Sequence, residues 1–432
     1  MKNKIKIIID KIDFFLFKLF GYEKKLYYLE NLNEAKIIFS HLNSVDKNKE
    51  VRFVGGCVRK AIKNEKIDDI DLATNLVPNE VKKKLTSNGI QVIDTGILHG
   101  TVTAILNKKK FEITTLRKDV STDGRHADVE FTLDWEQDAR RRDFTINAIY
   151  ADIDGNIFDP ENGINDLKNG KVNFIGPAKD RIQEDYLRIL RYFRFFTQYS
   201  KSTHDEDTIK FIKQNINGIN KISNERIFDE LKKILSLENI YELFNNNISK
   251  EIILNIFQQF KYYERLKNII TLNQKLKDNF DKELLLALLI LDSSNNHQYF
   301  CHKYKVSNNL KNRFNNISKN YELIKTKKFY LEKNIKKMMY LLGKDYVSDL
   351  LLFAIGVGTK DQIIEIEKLL NLIKKYEIPK FPISGDYLKE HGYVTGEKLG
   401  NKLKFLEDRW VENNFVIDPN FIDNFLKKKN YN

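Results

Sequence analysis

Cysteine is nearly absent from this chain. Only Cys57 and Cys301 occur in 432 residues, far apart in sequence. That excludes a disulfide framework and a cysteine-based zinc site, and it fits a reducing compartment such as the cytoplasm. Proline is also scarce, at six residues, which suits long helices because proline breaks helix interiors. No stretch reaches the ~18 uncharged apolar residues of a membrane span. The basic, partly apolar segment from Met1 to Phe20 is interrupted by Lys6, Asp10, Lys11 and Asp13, and no small-residue cleavage site follows it. It therefore reads as an amphipathic helix that packs on the body, not as a signal peptide. No internal repeat is present. Acids are outnumbered, with 60 Asp and Glu against 73 Lys and Arg, a net charge of +13. This excess favours polyanionic partners, nucleic acid or nucleotides among them. The length suggests two or three domains of roughly 150 residues each. At 42% hydrophobic and 31% charged, the chain can bury a sizeable core.

Strand and helix signals mix up to about residue 160. Residues 51–54 form a β-type run that ends in Gly55-Gly56, and 57–63 read as a helix start. Residues 67–72 alternate as a strand. Residues 101–106 and 111–116 are β-rich and joined at Asn107-Lys108-Lys109, which predicts a hairpin. Residues 118–128 are polar, contain Gly124 and read as a mobile loop, whereas 144–150 return to a helical pattern. After Asp159-Pro160 the texture changes. Helical periodicity covers 184–196, 224–235, 240–244, 249–257, 282–291 and 361–375. Ser223 is the expected N-cap of its helix, with Glu225 in the positive first turn.

Three segments carry chemistry. In residues 53–59 a strand, a Gly pair and a helix follow one another. Without Cβ atoms, Gly55 and Gly56 allow close backbone approach to a bulky anion, which Arg59 can also reach. Asp69 and Asp71 are two apart on a strand and share a face, so two carboxylates converge while Ile70 and Leu72 point inward. Such a pair repels itself unless a cation lies between, and Mg²⁺ favours a couple of carboxylates with waters and substrate phosphates. Taken alone, each feature is more often an ordinary turn or a solvated edge; their proximity in sequence changes the odds. Glu112, alternating with Phe111 and Ile113, would complete a carboxylate triad if its strand neighbours the Asp69–Asp71 strand.

The segments GGCVRK (55–60), DDIDLATN (68–75), HGTVTA (99–104), FEITTLR (111–117), TDGRHADVEFT (122–132), RRDFTINAIY (141–150) and EDYLRILRYFRF (184–195) follow in one order. Together they resemble the class II tRNA nucleotidyltransferases, the CCA-adding enzymes, and their poly(A) polymerase relatives in the DNA polymerase β-like superfamily. The resemblance runs from about residue 28 through 222–235 and reappears at 382–400. It implies an α+β N-terminal nucleotidyltransferase head with a mixed sheet, followed by an all-α neck, body and tail. The expected divisions are a helical extension (1–27), the head (28–160), the neck (161–240), and a body and tail that bind tRNA (241–432).

The resemblance also implies roles. Asp69 and Asp71 match the metal-binding pair, and Glu112 the third catalytic acid. Gly55, Gly56 and Arg59 match the triphosphate-holding turn, Arg142 and Asp143 the segment that handles ribose and phosphates, and 118–128 the flexible loop. Lys60 stands where the family usually has Asp and adds positive charge beside the expected anion. Asp185 and Arg188 match the nucleotide-selecting pair. A carboxylate only accepts hydrogen bonds and a guanidinium only donates them. Placed three apart on one helical face, they complement the donor–acceptor edge that C and A share and leave groups unpaired against U or G. Such a site rejects the wrong base by factors of roughly 10⁴.

The expected reaction is template-independent addition of C and A to the tRNA 3′ end, from CTP and ATP with Mg²⁺ and release of pyrophosphate. The expected partners are tRNA, CTP and ATP, with no membrane, and a homo-oligomer is admitted. Three alternatives stay open: a poly(A) polymerase, an enzyme adding only CC or only A, and a catalytically silent RNA-binding protein. Residues 76–100 lack the basic stretch of the best-known bacterial poly(A) polymerases, and all the acids are present, which favours a tRNA-directed enzyme. His204-Asp205 reads as a surface doublet. Lys327-Lys328, Lys336-Lys337 and Lys427–Lys429, with Tyr330 and Tyr340 nearby, are candidates for RNA phosphate contact.

Overall fold

A computed structural model describes residues 32–43, 49–67, 69–122, 127–358 and 362–427. The helix expected in 1–27 lies outside them. The chain divides into two compact units, 1–230 and 231–432.

The first unit opens with α1 (Asn33–Leu42), β1 (Val51–Val54), α2 (Gly56–Ile62), β2 (Ile70–Thr74), α3 (Pro78–Thr86), β3 (Gln91–Gly96), β4 (Thr101–Leu106) and β5 (Lys109–Thr115). It continues through β6 (Arg117–Thr122), β7 (Ala127–Phe131), α4 (Trp135–Arg140), β8 (Tyr150–Ala151) and β9 (Ile157–Phe158). A 7-stranded sheet has the order β3-β4-β5-β2-β1-β8-β9. It is mixed as expected, because β2 and β5 pair in parallel while the other neighbours are antiparallel. The expected hairpin is β4–β5. Its turn is Asn107-Lys108, with φ of 50° and 66°. Two left-handed residues give the twist that a two-residue hairpin requires. Ile70, Leu72, Phe111 and Ile113 are buried on one face of the central strands. Asp71 and Glu112 occupy the other.

Two local expectations fail. Of the expected loop at 118–128, residues 118–122 and 127–128 lie in a separate two-stranded sheet, in which β6 pairs antiparallel with β7, and 123–126 lie outside the described residues. The backbone groups of β6 and β7 satisfy each other in a ribbon that needs no apolar alternation, so its polar composition imitated a loop. Residues 144–150 form a 3₁₀ turn, Thr145–Asn147, that leads into β8. Every residue from 144 to 150 is buried, and the backbone pairs at long range: Thr145 N–H donates to Asn173 O (3.1 Å) and Phe144 bridges to Phe174. Tertiary pairing overrides local helical preference here.

The first unit ends in helices: α5 (Gly163–Asn169), α6 (Ala178–Glu184), α7 (Leu187–Tyr199), α8 (Glu206–Asn215) and α9 (Asn224–Leu235), the last crossing the division between the units. The helix expected over 184–196 is broken. Asp185, with φ −152° and ψ 104°, is an extended residue between α6 and α7. Ser223 caps α9 as expected, its Oγ accepting from Arg226 N–H at 3.4 Å. His204 is not a surface residue. It is buried, stacks on Phe196 with ring centroids 3.6 Å apart, and its Nδ1 lies 3.0 Å from the Tyr192 hydroxyl. Asp205 caps α8.

The second unit is helical among its described residues. Its most apolar helix, Lys282–Ile290, is buried from Leu284 onward, and Leu288 lies so close to Gly356 that a Cβ there would stand 2.3 Å from its Cδ2. Arg313 joins Asp349, Asp281 and Glu283 across three elements. Near the C-terminus, Ile383, Leu388 and Leu406 form a separate small core.

Candidate active site

β1 ends at Val54, and the chain turns sharply into α2. Gly55 makes the turn with φ 68° and ψ −117°, a conformation open mainly to glycine. A Cβ on Gly56 would stand 3.9 Å from both Asp71 Oδ2 and Arg59 Nη2. The structure thus brings the Gly pair, Arg59 and the carboxylate strand together. The parallel register of β2 and β5 places Asp71 directly beside Glu112. Asp69, one residue before β2, is exposed. Burial, then Glu112 and also Asp69, push the Asp71 carboxyl up to about 6 from 3.8, against the opposing pull of Arg142 and Arg59. The donor set is all oxygen and self-repelling, the chemistry that suits a hard divalent cation. Among the described residues, no group of three His, Cys, Asp or Glu stands close enough to hold a metal ion, so a cation on the Asp69–Asp71 strand would take most of its ligands from water and substrate.

The segment 141–150 supplies structure beneath these groups. Asp138 is buried and binds Arg141 (2.7 Å), Arg142 (3.0 Å) and the Tyr150 hydroxyl (2.7 Å). Burial alone would raise its carboxyl; Arg142, Arg141 and the Tyr150 hydrogen bond hold it well below the usual carboxylate range. Arg142 is thereby fixed, near enough to Asp71 to pull its carboxyl downward. Asp143 is buried and its oxygens are already engaged, one by Arg191 Nε at 2.6 Å, the other by the Asn147 amide at 2.6 Å. Burial opposes its charge, but Arg191 outweighs it and the carboxyl lies well below its ordinary value. Asn147 Oδ1 accepts in turn from Arg59 Nη1. Asp143 is thus an anchor, joining Arg191 on α7 through Asn147 to the arginine of the Gly-Gly turn.

The expected Asp185–Arg188 face does not form on one helix. Asp185 Oδ2 accepts from Arg226 Nη2 on α9 at 2.7 Å, and its Oδ1 caps Leu187 N–H at 3.1 Å. Arg188 Nη1 donates to Glu184 Oε2 at 2.6 Å and to Arg181 O at 3.0 Å. Its Nη2 donates to Arg141 O at 3.3 Å, which ties α7 to the 141–150 segment. The helix break gives each member its own partner. Sequence reasoning missed Asp138, Asn147, Tyr150, Glu184, Arg191 and Arg226. Asn147, Tyr150, Glu184 and Arg191 stand in the quoted segments, whereas Asp138 and Arg226 lie outside them, and the pairings span as many as 88 residues.

Lys60 is half-buried on α2. Of the candidate phosphate-contacting residues, Tyr330 is buried and donates to Ile324 O (2.8 Å), and Tyr340 donates to Glu407 and packs on Trp410. Lys336 pairs with Glu332 at 2.6 Å and Lys337 binds Glu412 O at 2.9 Å. Lys327 and Lys328 are exposed; Lys428 and Lys429 lie outside the described residues. No helix among the described residues is long and apolar enough to cross a membrane.

Residues 51–173 match the poly A polymerase head domain, and residues 203–262 match a segment described as "Probable RNA and SrmB- binding site of polymerase A". The chain is 34% identical to the "CCA tRNA nucleotidyltransferase 1, mitochondrial" of Homo sapiens, over 98% of this chain and 96% of that one. It is 31% identical to a CCA-adding enzyme of Streptococcus uberis, over 88% and 93%. A crystal structure of the Bacillus stearothermophilus CCA-adding enzyme in complex with CTP shares the fold, with a TM-score of 0.69, 23% identity and coverage of 92% and 97%. The mixed-sheet head and its helical continuation define a nucleotidyltransferase of the poly A polymerase type. The chain belongs to the CCA-adding tRNA nucleotidyltransferase family.

Proposed function

We propose that this protein adds C and A to the 3′ end of tRNA without a template, using CTP and ATP and releasing pyrophosphate. The observation that carries the reading is the likeness to the human enzyme over 98% of the chain, which takes in the head and the helical units together. In this reading Asp69 and Asp71 would hold Mg²⁺, with Glu112 beside Asp71 as the third acid. When bound there, Mg²⁺ would supply charge neutralisation at the reacting phosphate and a lowered proton affinity at the attacking hydroxyl. The protein's own residues position the reactants. Gly56 keeps side-chain volume out of the space before Asp71, where a triphosphate approaches, and Gly55 makes the turn that leads there. Arg59 and Arg142, held by Asn147 and Asp138, direct positive charge toward that space. Asp143 keeps Arg59 and Arg191 in place. Asp185 and Arg188 present an acceptor and a donor to the base, exchanging their contacts with Arg226 and Glu184 for it. Catalysis of this type rests on positioning and electrostatics, with no covalent enzyme intermediate. Lysines of the helical units contact tRNA phosphates.

The test is incubation of the purified protein with tRNA lacking its 3′ terminus, Mg²⁺ and each NTP singly and then together, with sequencing of the products. Addition of CCA only when CTP and ATP are both supplied is the expected result. Addition of a run of A identifies a poly(A) polymerase, CC or A alone with both nucleotides supplied identifies a partial enzyme, and no product with intact tRNA binding identifies a silent binder. We read the chain, with its two free cysteines, as cytoplasmic. The human relative carries a mitochondrial name, and cell fractionation against markers of both compartments separates the two placements.

A further inference from the structure

Gly218 lies in the 3₁₀ turn Ile216–Lys221 and is buried. A Cβ placed on it would stand 2.1, 2.2 and 2.4 Å from Cδ1, Cε1 and Cγ of Tyr186. No side chain fits there, because the Tyr186 ring lies directly against the Gly218 backbone. The turn places Lys221 Nζ 5.6 Å from the centroid of the same ring. Tyr186 is the residue between extended Asp185 and the start of α7, and it is itself helical, with φ −61° and ψ −17°. The helix break thus sits beside a ring seated on a fixed turn. The two groups assigned to base selection lie one residue before Tyr186 and two residues after it. Neither is held by the other: Asp185 leans on Arg226 and Arg188 on Glu184. Both side-chain pairs can open when a base enters. The ring contact does not need to, so it can keep the backbone of the break in place while the side chains change partners.

We propose that the Tyr186–Gly218 contact is a positioning device for nucleotide choice, holding the backbone on which Asp185 and Arg188 meet the base. The inference rests on the reading of those two residues as the selectors. Misplacement of a binding group by about 1 Å can cost a factor of about 100, so fidelity is the sensitive readout. The experiment measures kcat/KM for all four NTPs on a tRNA primer, with thermal unfolding in parallel, for Tyr186→Phe, Tyr186→Ala, Gly218→Ala, the double variant Tyr186→Ala/Gly218→Ala, and Asp185→Ala/Arg188→Ala. Tyr186→Phe keeps the ring and should retain the wild-type preference for CTP and ATP over UTP and GTP. Tyr186→Ala and Gly218→Ala should each reduce that preference by about tenfold or more. In the double variant the added methyl meets no ring. It should therefore unfold at a higher temperature than Gly218→Ala, yet its preference should stay reduced. If Gly218→Ala does not fold, Tyr186→Ala and the double variant still decide the matter. Unchanged preference in folded Tyr186→Ala, with preference lost in Asp185→Ala/Arg188→Ala, overturns the positioning inference alone. Unchanged preference in Asp185→Ala/Arg188→Ala overturns the selector reading and the inference with it.

Discussion

Asp71 and Glu112 stand side by side on neighbouring parallel strands. Burial and the nearby acid raise the Asp71 carboxyl to about 6. A folded protein that binds a proton more tightly than the unfolded chain loses stability as pH rises between the two pKa values. In metal-free protein, stability should therefore fall as pH rises from the unfolded value of 3.8 through about 6. Asp71→Asn should remove that segment of the pH profile and raise the unfolding temperature above pH 6. The same substitution, like Asp69→Ala, should abolish nucleotide addition while leaving most tRNA affinity. Denaturation profiles from pH 4 to 8 and a primer-extension assay check both; wild-type turnover in either variant would show that these carboxylates do not carry the reaction.

Asp138 is the acid between Arg141, Arg142 and Tyr150. Asp138→Ala strands buried positive charge and should cost about 3–5 kcal/mol of stability, read by urea denaturation. Because its folded pKa lies below the unfolded value, the stabilisation is present above the ordinary carboxylate range and is lost as pH falls through it. The difference between wild type and variant should shrink on acidification below about pH 4.

At Gly55 the obstacle to a side chain is backbone conformation, not space. The nearest atom to a Cβ there would be Asn147 O at 3.9 Å, yet φ is +68°. Gly55→Ala should destabilise the protein by about 1–3 kcal/mol and lower kcat/KM for every NTP to a similar degree. Loss of activity toward one nucleotide only would count against a role in holding the common triphosphate.

Binding of tRNA should weaken steeply with salt, since each phosphate contact releases counterions. The motive is the net charge of +13 with exposed lysines such as Lys327 and Lys328. A filter-binding titration between about 50 and 200 mM salt should show a fall of tenfold or more; a flat response would mean that backbone phosphates contribute little.

The sequence by itself determined the elements whose instructions are local. Alternation placed Ile70 and Leu72 in the core and left Asp71 on the opposite face. Gly55-Gly56 marked the turn, Ser223 capped its helix, and Asn107-Lys108 closed the β4–β5 hairpin. These are properties of a few adjacent residues, so they can be read before folding. The tertiary structure alone decided partnerships between distant segments. Asp143 became an anchor because folding brings Arg191 to one of its oxygens and Asn147 to the other. Residues 144–150 abandoned helical geometry for bonds to 173 and 174. The helix expected across Asp185 broke, and Arg226, 41 residues onward, took up its carboxylate. Long-range hydrogen bonds and burial outweigh propensities worth at most about 1 kcal/mol per ordinary residue. Because of that imbalance, the sequence singled out the candidate residues for the chemistry and the tertiary structure chose what holds each of them.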